Sequence, residues 1–333
     1  MKPVLVLGGS GQAGADTTAL LRRWHPDLPL TIAARNLERA QRVADDLGTA
    51  TVVTVDLGRS DLGLPAGATY SAVVALLRDE SYNALRYAQD HELPYFGISS
   101  GPVEIAPEVV AVAHRPTASP VMLASHFFAG AVVLAALQAT GEFSRVDSIR
   151  VSAVLDEQDI GGPAALADLE RWAAITSAGL VRRDGAFTWL PDTETAAEVE
   201  RRDGSTLPGQ TVAVLDVPSL AFATDAANVQ LDFAVNPADA LDGSQPAAEL
   251  RIDLTGTDQA GAPLRTTHFL THSAGQRPLT AVGIALGVER LLALRGASVP
   301  PGIHTPESLI DPAYATARLQ EAGAEFVEAA VVR

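Results

Sequence analysis

Cysteine is absent from this chain of 333 residues. That excludes disulfides, cysteine-ligated zinc, iron–sulfur clusters and any thiol nucleophile, and it fits a reducing compartment. Aromatic residues are scarce, at 5%. Long apolar runs are missing too. Pro3 to Leu7 is too short for a secretory core and runs into glycines. Phe127 to Ala139 is shorter than the roughly 20 residues needed to cross a bilayer. A soluble cytoplasmic protein with no membrane partner is therefore expected. Positive charge is in deficit: 24 Lys and Arg face 40 Asp and Glu, a net charge of −16 and a pI near 4.8. Such a surface repels polyphosphate backbones, so no nucleic-acid partner is expected, although a local basic pocket still suits a small phosphorylated ligand.

What is present is a rich supply of core. Apolar residues make up 47% of the chain, and its length suits about two domains at roughly 100–200 residues each. The first part alternates strand and helix. Val4–Leu7 is a continuous apolar run, as of a strand buried on both faces, and Leu30–Ala34, the β-branched Thr51–Val55, Ala72–Leu76 and Leu93–Ile98 read as further strands. Ala15–Trp24, Leu37–Leu47 and Glu80–His91 read as helices, with Leu37, Ala40, Val43, Ala44 and Leu47 on the core face of the second and Gly48 as its stop. Repeated units of this kind predict an α/β fold with a doubly wound parallel sheet.

After about residue 125 the pattern changes. Val146–Leu155, Thr211–Leu215, Val229–Val235, Leu250–Leu254 and Thr266–Thr271 read as strands, separated by turns such as Asp184-Gly185, Asp203-Gly204 and Asp242-Gly243. Helices are expected over Ala164–Ala178 and Thr280–Leu294, and a strand over Phe326–Val332. This predicts a second α+β domain built on a mostly antiparallel sheet.

The strongest motif is Gly9-Ser10-Gly11-Gln12-Ala13-Gly14, a G-x-G-x-x-G placed between a strand and a helix. In that context the first glycine permits a tight turn, the second lets backbone approach a pyrophosphate, and the third allows close helix–sheet packing. The helix start attracts the phosphates. NAD sites usually carry an acid at the end of the second strand. Here the strand ends in Ala34-Arg35-Asn36. Arg35 offers a guanidinium to a 2′-phosphate, which predicts NADP(H) over NAD(H). Arg39 and Arg42 extend a basic stripe or are solvated helix charges. Asp56, followed by Leu57, either touches the adenine side or caps the next turn. Leu76 and Leu77 are expected along the nicotinamide ribose. Arg78 and Asp79 either join them or form a surface ion pair and a helix cap.

VLGGSGQAG, AARN, the VDL after the third strand, ALLRDESYNALRYAQDHELPYFGISSG, PLTAVGIALGVERLL and GIHTPESLIDP together resemble the saccharopine dehydrogenase-like oxidoreductases. The resemblance covers roughly the first 130 and the last 60 residues. It implies a Rossmann domain (1–125), an α+β domain for substrate and homodimerisation (126–295), and a carboxyl-terminal segment (296–333) returning to the Rossmann domain. It also implies hydride transfer to or from a C–N bond beside a carboxylate. Where several members have a Gly-x-Asp-Pro-Gly-like turn, this chain has His126-Phe127-Phe128-Ala129-Gly130, and no aspartate stands in the segment Phe96-Gly97-Ile98-Ser99-Ser100-Gly101. Phe127 and Phe128 point to a more apolar or aromatic substrate than saccharopine, taken as a C=N or C=O compound. His126 is the expected proton donor. Ser99 is assigned to the cofactor and Ser100 to the chemistry. A cofactor-binding sensor without turnover is the alternative.

No metal is expected. His268 and His272 share a strand face at i and i+4, but no third ligand is nearby, so a sheet-surface position is expected. Asp156, Glu157 and Asp159 read as a solvated loop, Trp172 and Trp189 as core, and Arg182, Arg183, Arg201 and Arg202 as surface charges.

Overall fold

The structure is a computed structural model, and it describes residues 1–98, 101–102, 104–159, 166–167, 170–171, 174, 178–237 and 247–329. Two compact units emerge. One comprises Met1–Ser125 with Ala281–Ile310, the other His126–Thr280 with Asp311–Arg333.

The first unit is a seven-stranded, wholly parallel sheet. Its strands are β1 (Val4–Leu7), β2 (Leu30–Ala34), β3 (Thr51–Thr54), β4 (Ala72–Ala75), β5 (Tyr95–Gly97), β6 (Pro120–Leu123) and β15 (Gly302–His304), in the order β15-β6-β5-β4-β1-β2-β3. The apolar run of β1 is completely buried because β2 and β4 flank it and helices cover both faces of the sheet. Chain order reverses at β1, which puts a topological switch point between β1 and β4. Helices α1 (Gln12–Trp24), α2 (Leu37–Leu47), α3 (Asn83–Asp90) and α4 (Ile105–Ala113) complete the crossovers. The Asn36 side chain accepts the Arg39 N–H to start α2, and Gly48 (φ +79°) stops it. Leu37, expected in the core, is exposed in this first turn. The carboxyl-terminal half of α7 (Gln276–Leu291) also belongs here. Gly287 lets it lie against Phe96 and Met122, since a Cβ would come within 2.3 Å of the Phe96 ring.

The second unit carries β10 (Ala196–Glu200), β11 (Thr206–Thr211), β12 (Asn228–Asn236), β7 (Phe143–Asp156), β13 (Ala248–Asp258), β14 (Pro263–His272) and β16 (Glu325–Glu328) in that order, with β8 (Gly179–Arg183) and β9 (Ala186–Leu190) branching from β12. All pairings are antiparallel except β7 with β12. One face is apolar, with Ile149, Val151, Leu231, Leu250 and Ile252 buried beneath α5 (Ala131–Ala139), α6 (Asp216–Thr224) and α9 (Pro312–Glu321). The other is polar: the buried Asp232 accepts from Arg150 Nε at 2.7 Å, Thr211 Oγ1 at 2.7 Å and Gln230 Nε2 at 2.7 Å. That satisfies a charge whose burial alone would be costly.

Several expectations need correction. The carboxyl-terminal segment returns to the first unit only as far as Ile310, after β15 and the short helix α8 (Pro306–Leu309). From Asp311 onward α9 packs on α5, and β16 extends the second sheet beside β14. This happens because Phe326 finds a stacking partner in His268, at 5.7 Å between rings. His268 and His272 are in consequence buried rather than on the sheet surface. Helix α7 starts a turn early, at Gln276, because the Asp159 carboxylate accepts the Gln276 N–H. Where a strand was expected over Thr211–Leu215, strand β11 ends at Thr211 and α6 begins at Asp216. Arg201 is buried, whereas Trp189 is half exposed on β9. The expected helix at 164–178 lies mostly outside the described residues, as do Trp172 and the Asp242-Gly243 turn.

Among the described residues, His268 Nε2 has no hydrogen-bond partner. Burial pushes this imidazole below its ordinary pKa, outweighing Glu328 and Glu142, which pull it up. The unfolded chain therefore binds more protons than the folded one once pH drops toward about 6.5, and stability falls with pH. Urea titrations should show the wild type losing more stability between pH 7 and pH 5 than His268→Phe, which keeps the stack on Phe326. Equal losses would refute this role for His268.

Candidate functional site

The carboxyl ends of β1, β2 and β4 gather the motif residues of the first unit. Gly8, just before the G-x-G-x-x-G, is the left-handed residue (φ +80°), so the tight turn rests on Gly8 rather than on Gly9. The Gly8 N–H donates to the Ala33 carbonyl at 3.3 Å, and the Gly11 N–H to the Gly8 carbonyl at 2.9 Å. A Cβ on Gly14 would sit 2.4 Å from the Gly8 oxygen and 2.7 Å from the Gly9 Cα. One on Gly11 would lie 3.1 Å from the same oxygen, and one on Gly9 would lie 3.1 Å from Val6. The loop is thus closed against its own helix at a distance only glycine permits. Gly11 caps α1 without a side-chain hydrogen bond, and the first turn holds no acid. Its N–H groups and positive dipole end are left for an anion. Gln12 is exposed, and Ser10 and Ala13 are half-buried.

The neighbouring strand ends frame this loop. A Cβ on Gly8 would touch the Leu76 carbonyl at 3.1 Å and Leu77 at 3.3 Å, so both leucines border the turn as the sequence implied. Leu7 lies opposite Ala33, which places Arg35 two residues beyond the strand pairing. Arg35 is exposed, and among the described residues nothing bonds its guanidinium. Asn36 is engaged as the α2 cap. Asp56 takes the capping role: its Oδ1 accepts the Gly58 N–H at 2.9 Å, with Leu57 half-buried beside it. Arg78 pairs with Glu104 at 2.8 Å and Glu80 at 3.5 Å, and Asp79 accepts the Ala84 N–H at 2.6 Å, so of the two readings this pair follows the ion-pair and cap one. Arg42 reaches Glu38 at 3.9 Å on the α2 surface. Ser99 and Ser100 lie outside the described residues.

His126 opens the second unit. It is buried, and its Nε2 sits 2.8 Å from Ser219 Oγ on α6. The next residue, Phe127, donates its N–H to Asp216 Oδ2 at 2.9 Å. Phe128 (φ +51°), Ala129 (φ +53°) and Gly130 (φ +92°) then follow in the left-handed region. Two such non-glycine residues in a row store about 1–3 kcal/mol each. The fully buried Asp216 carboxylate anchors the strained segment at its start. Phe127 is half-buried against Phe233 at 5.9 Å, whereas Phe128 is buried in the core. Of the two, only Phe127 reaches solvent to any extent. Sequence reasoning missed Asp216 and Ser219, which are some 90 residues from His126. Aspartate opening an apolar segment, Asp216-Val217-Pro218, is the one local signal that marks a helix start.

Elsewhere the site candidates dissolve into packing. His272 Nδ1 accepts the Ala274 N–H at 3.0 Å, and no metal-binding group of three appears among the described residues. Asp156 accepts from Asn236 at 3.1 Å, and Asp159 caps α7. No helix among the described residues is long and apolar enough to cross a membrane.

Gly14→Ala should cost about 1–3 kcal/mol, because the turn must open to admit the methyl group. Gly141→Ala, where nothing lies within 4 Å, should cost far less. Urea midpoints measure both, and equal effects would contradict the close packing.

No family model and no curated protein matches the chain. Among solved structures it is similar to apo saccharopine dehydrogenase (L-Glu forming) from Saccharomyces cerevisiae. The identity is 14%, 99% of this chain and 100% of that one are covered, and the TM-score is 0.68. Scyllo-inositol dehydrogenase from Lactobacillus casei with bound NAD(H) and scyllo-inositol gives 12% identity, 98% and 99% coverage and a TM-score of 0.49. The chain therefore has the fold of saccharopine dehydrogenase: a Rossmann sheet joined to a mixed-sheet α+β unit.

Proposed function

We propose that this chain is an NADP(H)-dependent oxidoreductase of the saccharopine dehydrogenase-like type, acting on a C=N or C=O bond of a small, apolar or aromatic molecule. The observation that carries the reading is the closed glycine turn at the switch point, whose helix start has no side-chain cap and no acid in its first turn. Glycines whose added Cβ atoms would strike the turn fit a backbone cradle for a pyrophosphate. Arg35 supports the phosphorylated dinucleotide: it is exposed at the end of β2, where no carboxylate waits for a ribose hydroxyl. The likeness to saccharopine dehydrogenase across the whole chain supports the reaction class.

The bound nicotinamide would supply the hydride. The chain's own residues do the rest. Backbone N–H groups of residues 12–14 would hold the pyrophosphate, and Arg35 would bind the 2′-phosphate. His126 would supply the proton that the substrate nitrogen or oxygen takes up when it is reduced to an amine or an alcohol. Ser219 fixes the imidazole through Nε2, and Asp216 holds the backbone next to it. Phe127 presents an apolar wall that suits a ring or branched side chain.

Arg35→Glu tests the cofactor assignment. The ratio of NADPH to NADH affinity, from fluorescence titration, should fall at least tenfold, in line with the loss of a charged hydrogen-bonding partner. An unchanged ratio would refute the role of Arg35. Turnover is tested by loss of absorbance at 340 nm with NADPH and a panel of keto acid–amine pairs, cyclic imines and aryl ketones. His126→Gln should lower kcat by about 10²-fold or more while NADPH affinity holds. Tight NADPH binding with no turnover on any compound would favour a sensor.

A further inference from the structure

The polar face of the second sheet is roofed at one end. β11 pairs with β12 at only two positions, Gln210 with Phe233 and Thr211 with Asp232. Gly209 allows the close crossing beside them, since a Cβ there would lie 2.6 Å from the Phe233 oxygen. The β10–β11 hairpin curls back over strands that are not its neighbours in the sheet order. Arg150 of β7 donates through Nη2 to the Glu198 carbonyl of β10 at 3.1 Å, and Arg251 of β13 pairs with Glu200 of β10 at 2.5 Å. Further along, Val199 and Leu207 of the hairpin pack on Val154 and Ala234. Beneath the hairpin lies a cavity of about 490 Å³, within the size range of small-molecule sites. Every residue that lines it belongs to the second unit.

Strand register sets the floor. Alternate residues of β12, β7 and β13 share one face. Gln230, Arg150 and Asp253 therefore form one row, and Asp232, Ser152 and Arg251 the next. Hydrogen-bond donors and acceptors alternate over this grid: Arg150 stands between an amide and a carboxylate, Ser152 between a carboxylate and a guanidinium. Ser152 is the smallest of the six and leaves the hollow. It is only 4% exposed, it lines the cavity, and nothing among the described residues bonds its hydroxyl. A buried hydroxyl in that state costs free energy unless a guest bonds it. Spare capacity surrounds it. Arg150 bonds through Nε and Nη2, which leaves Nη1. Gln230 donates through Nε2 to Thr211 and Asp232, which leaves its carbonyl oxygen. The exposed Glu198 carboxylate has no partner among the described residues.

The chemistry of the guest follows from these groups. Arg150 and Arg251 stand among Asp232, Asp253, Glu198 and Glu200, so an anion meets a net negative wall. A cation gains from that excess but leaves Arg150 Nη1 without an acceptor. A metal ion finds no group of three ligating side chains among the described residues. A polyol suits both kinds of site, because each hydroxyl donates and accepts. Neighbouring hydroxyls on a ring match neighbouring donors and acceptors on the floor, and no net charge has to leave water. We infer that the cavity binds a cyclic polyol of monosaccharide size, with hydroxyls on Ser152, Arg150 and Glu198. No aromatic ring lines the cavity among the described residues. Affinity therefore rests on hydrogen bonds and lies in the millimolar range.

Saturation-transfer NMR on the full chain, without nucleotide, tests this with D-glucose, D-galactose, D-mannose and myo-inositol at millimolar concentration. Cyclohexylamine and cyclohexanecarboxylate, rings of like size with one charge and no hydroxyl, serve as comparisons. At least one of the four polyols should bind, and neither comparison ring should match it. Glu198→Gln, a change at an exposed position, should weaken that polyol at least tenfold, in line with the loss of a charged acceptor. Ser152→Val puts methyl groups in the hollow and should abolish binding. Glu194→Gln, exposed and outside the cavity, should leave binding unchanged. Circular dichroism checks that each variant folds, and Glu198→Gln decides the matter if Ser152→Val does not. No binding by any of the four polyols, a comparison ring that binds as well, or wild-type affinity in Glu198→Gln would each overturn the proposal. None of these outcomes depends on the nucleotide site proposed for the first unit, so either reading can fail alone.

Discussion

The contact between Gly14 and the Gly8 carbonyl sets the geometry of the first unit. It brings the start of α1 against the end of β1, closer than any other residue at position 14 allows. Everything proposed for the site follows from that closeness. It fixes where the helix N–H groups lie, and so where the proposed phosphate would sit relative to Arg35 at the next strand end. The strand order then does the rest, since β1 is the point from which the chain departs in both directions. A larger residue at position 14 would weaken the fold and the cradle together, because one packing contact serves both.

The second unit holds its candidate chemistry differently. His126 lies at the entrance to a run of left-handed residues, Phe128 to Gly130, that would relax if released. Two side chains of α6 oppose that relaxation: Asp216 takes the Phe127 N–H, and Ser219 takes the imidazole. Strain stored beside a buried histidine is commonly found where a side chain must be held in one orientation.

Much of the first unit was legible from local pattern. The runs Val4–Leu7 and Leu30–Ala34 are strands with the expected limits, and Leu37–Leu47 is a helix bounded by Asn36 and Gly48. Buried parallel strands and capped helices write their physics into neighbouring residues. The second unit was read less fully. Strands β8, β9 and β10 are only five residues each, so their periodicity is weak. Helix α6 is apolar on most sides, with a proline in its first turn, and has no stripe to read. The fate of the carboxyl terminus depended on which sheet offered Phe326 a partner, a contact with His268 that lies more than fifty residues back in the chain. For the same reason the glycine motif and Arg35 were visible, whereas Ser219 and Asp216 were not. The first two are local, and the others meet His126 only through tertiary packing.

The central claim is that the glycine turn seats a dinucleotide pyrophosphate and that this site belongs to the phosphorylated cofactor. Isothermal titration calorimetry of the wild-type chain with NADPH and with NADH tests it most directly. NADPH should bind at one site per chain, with NADH at least tenfold weaker. Absence of binding heat from both nucleotides at millimolar concentration, or a clear preference for NADH, would contradict it.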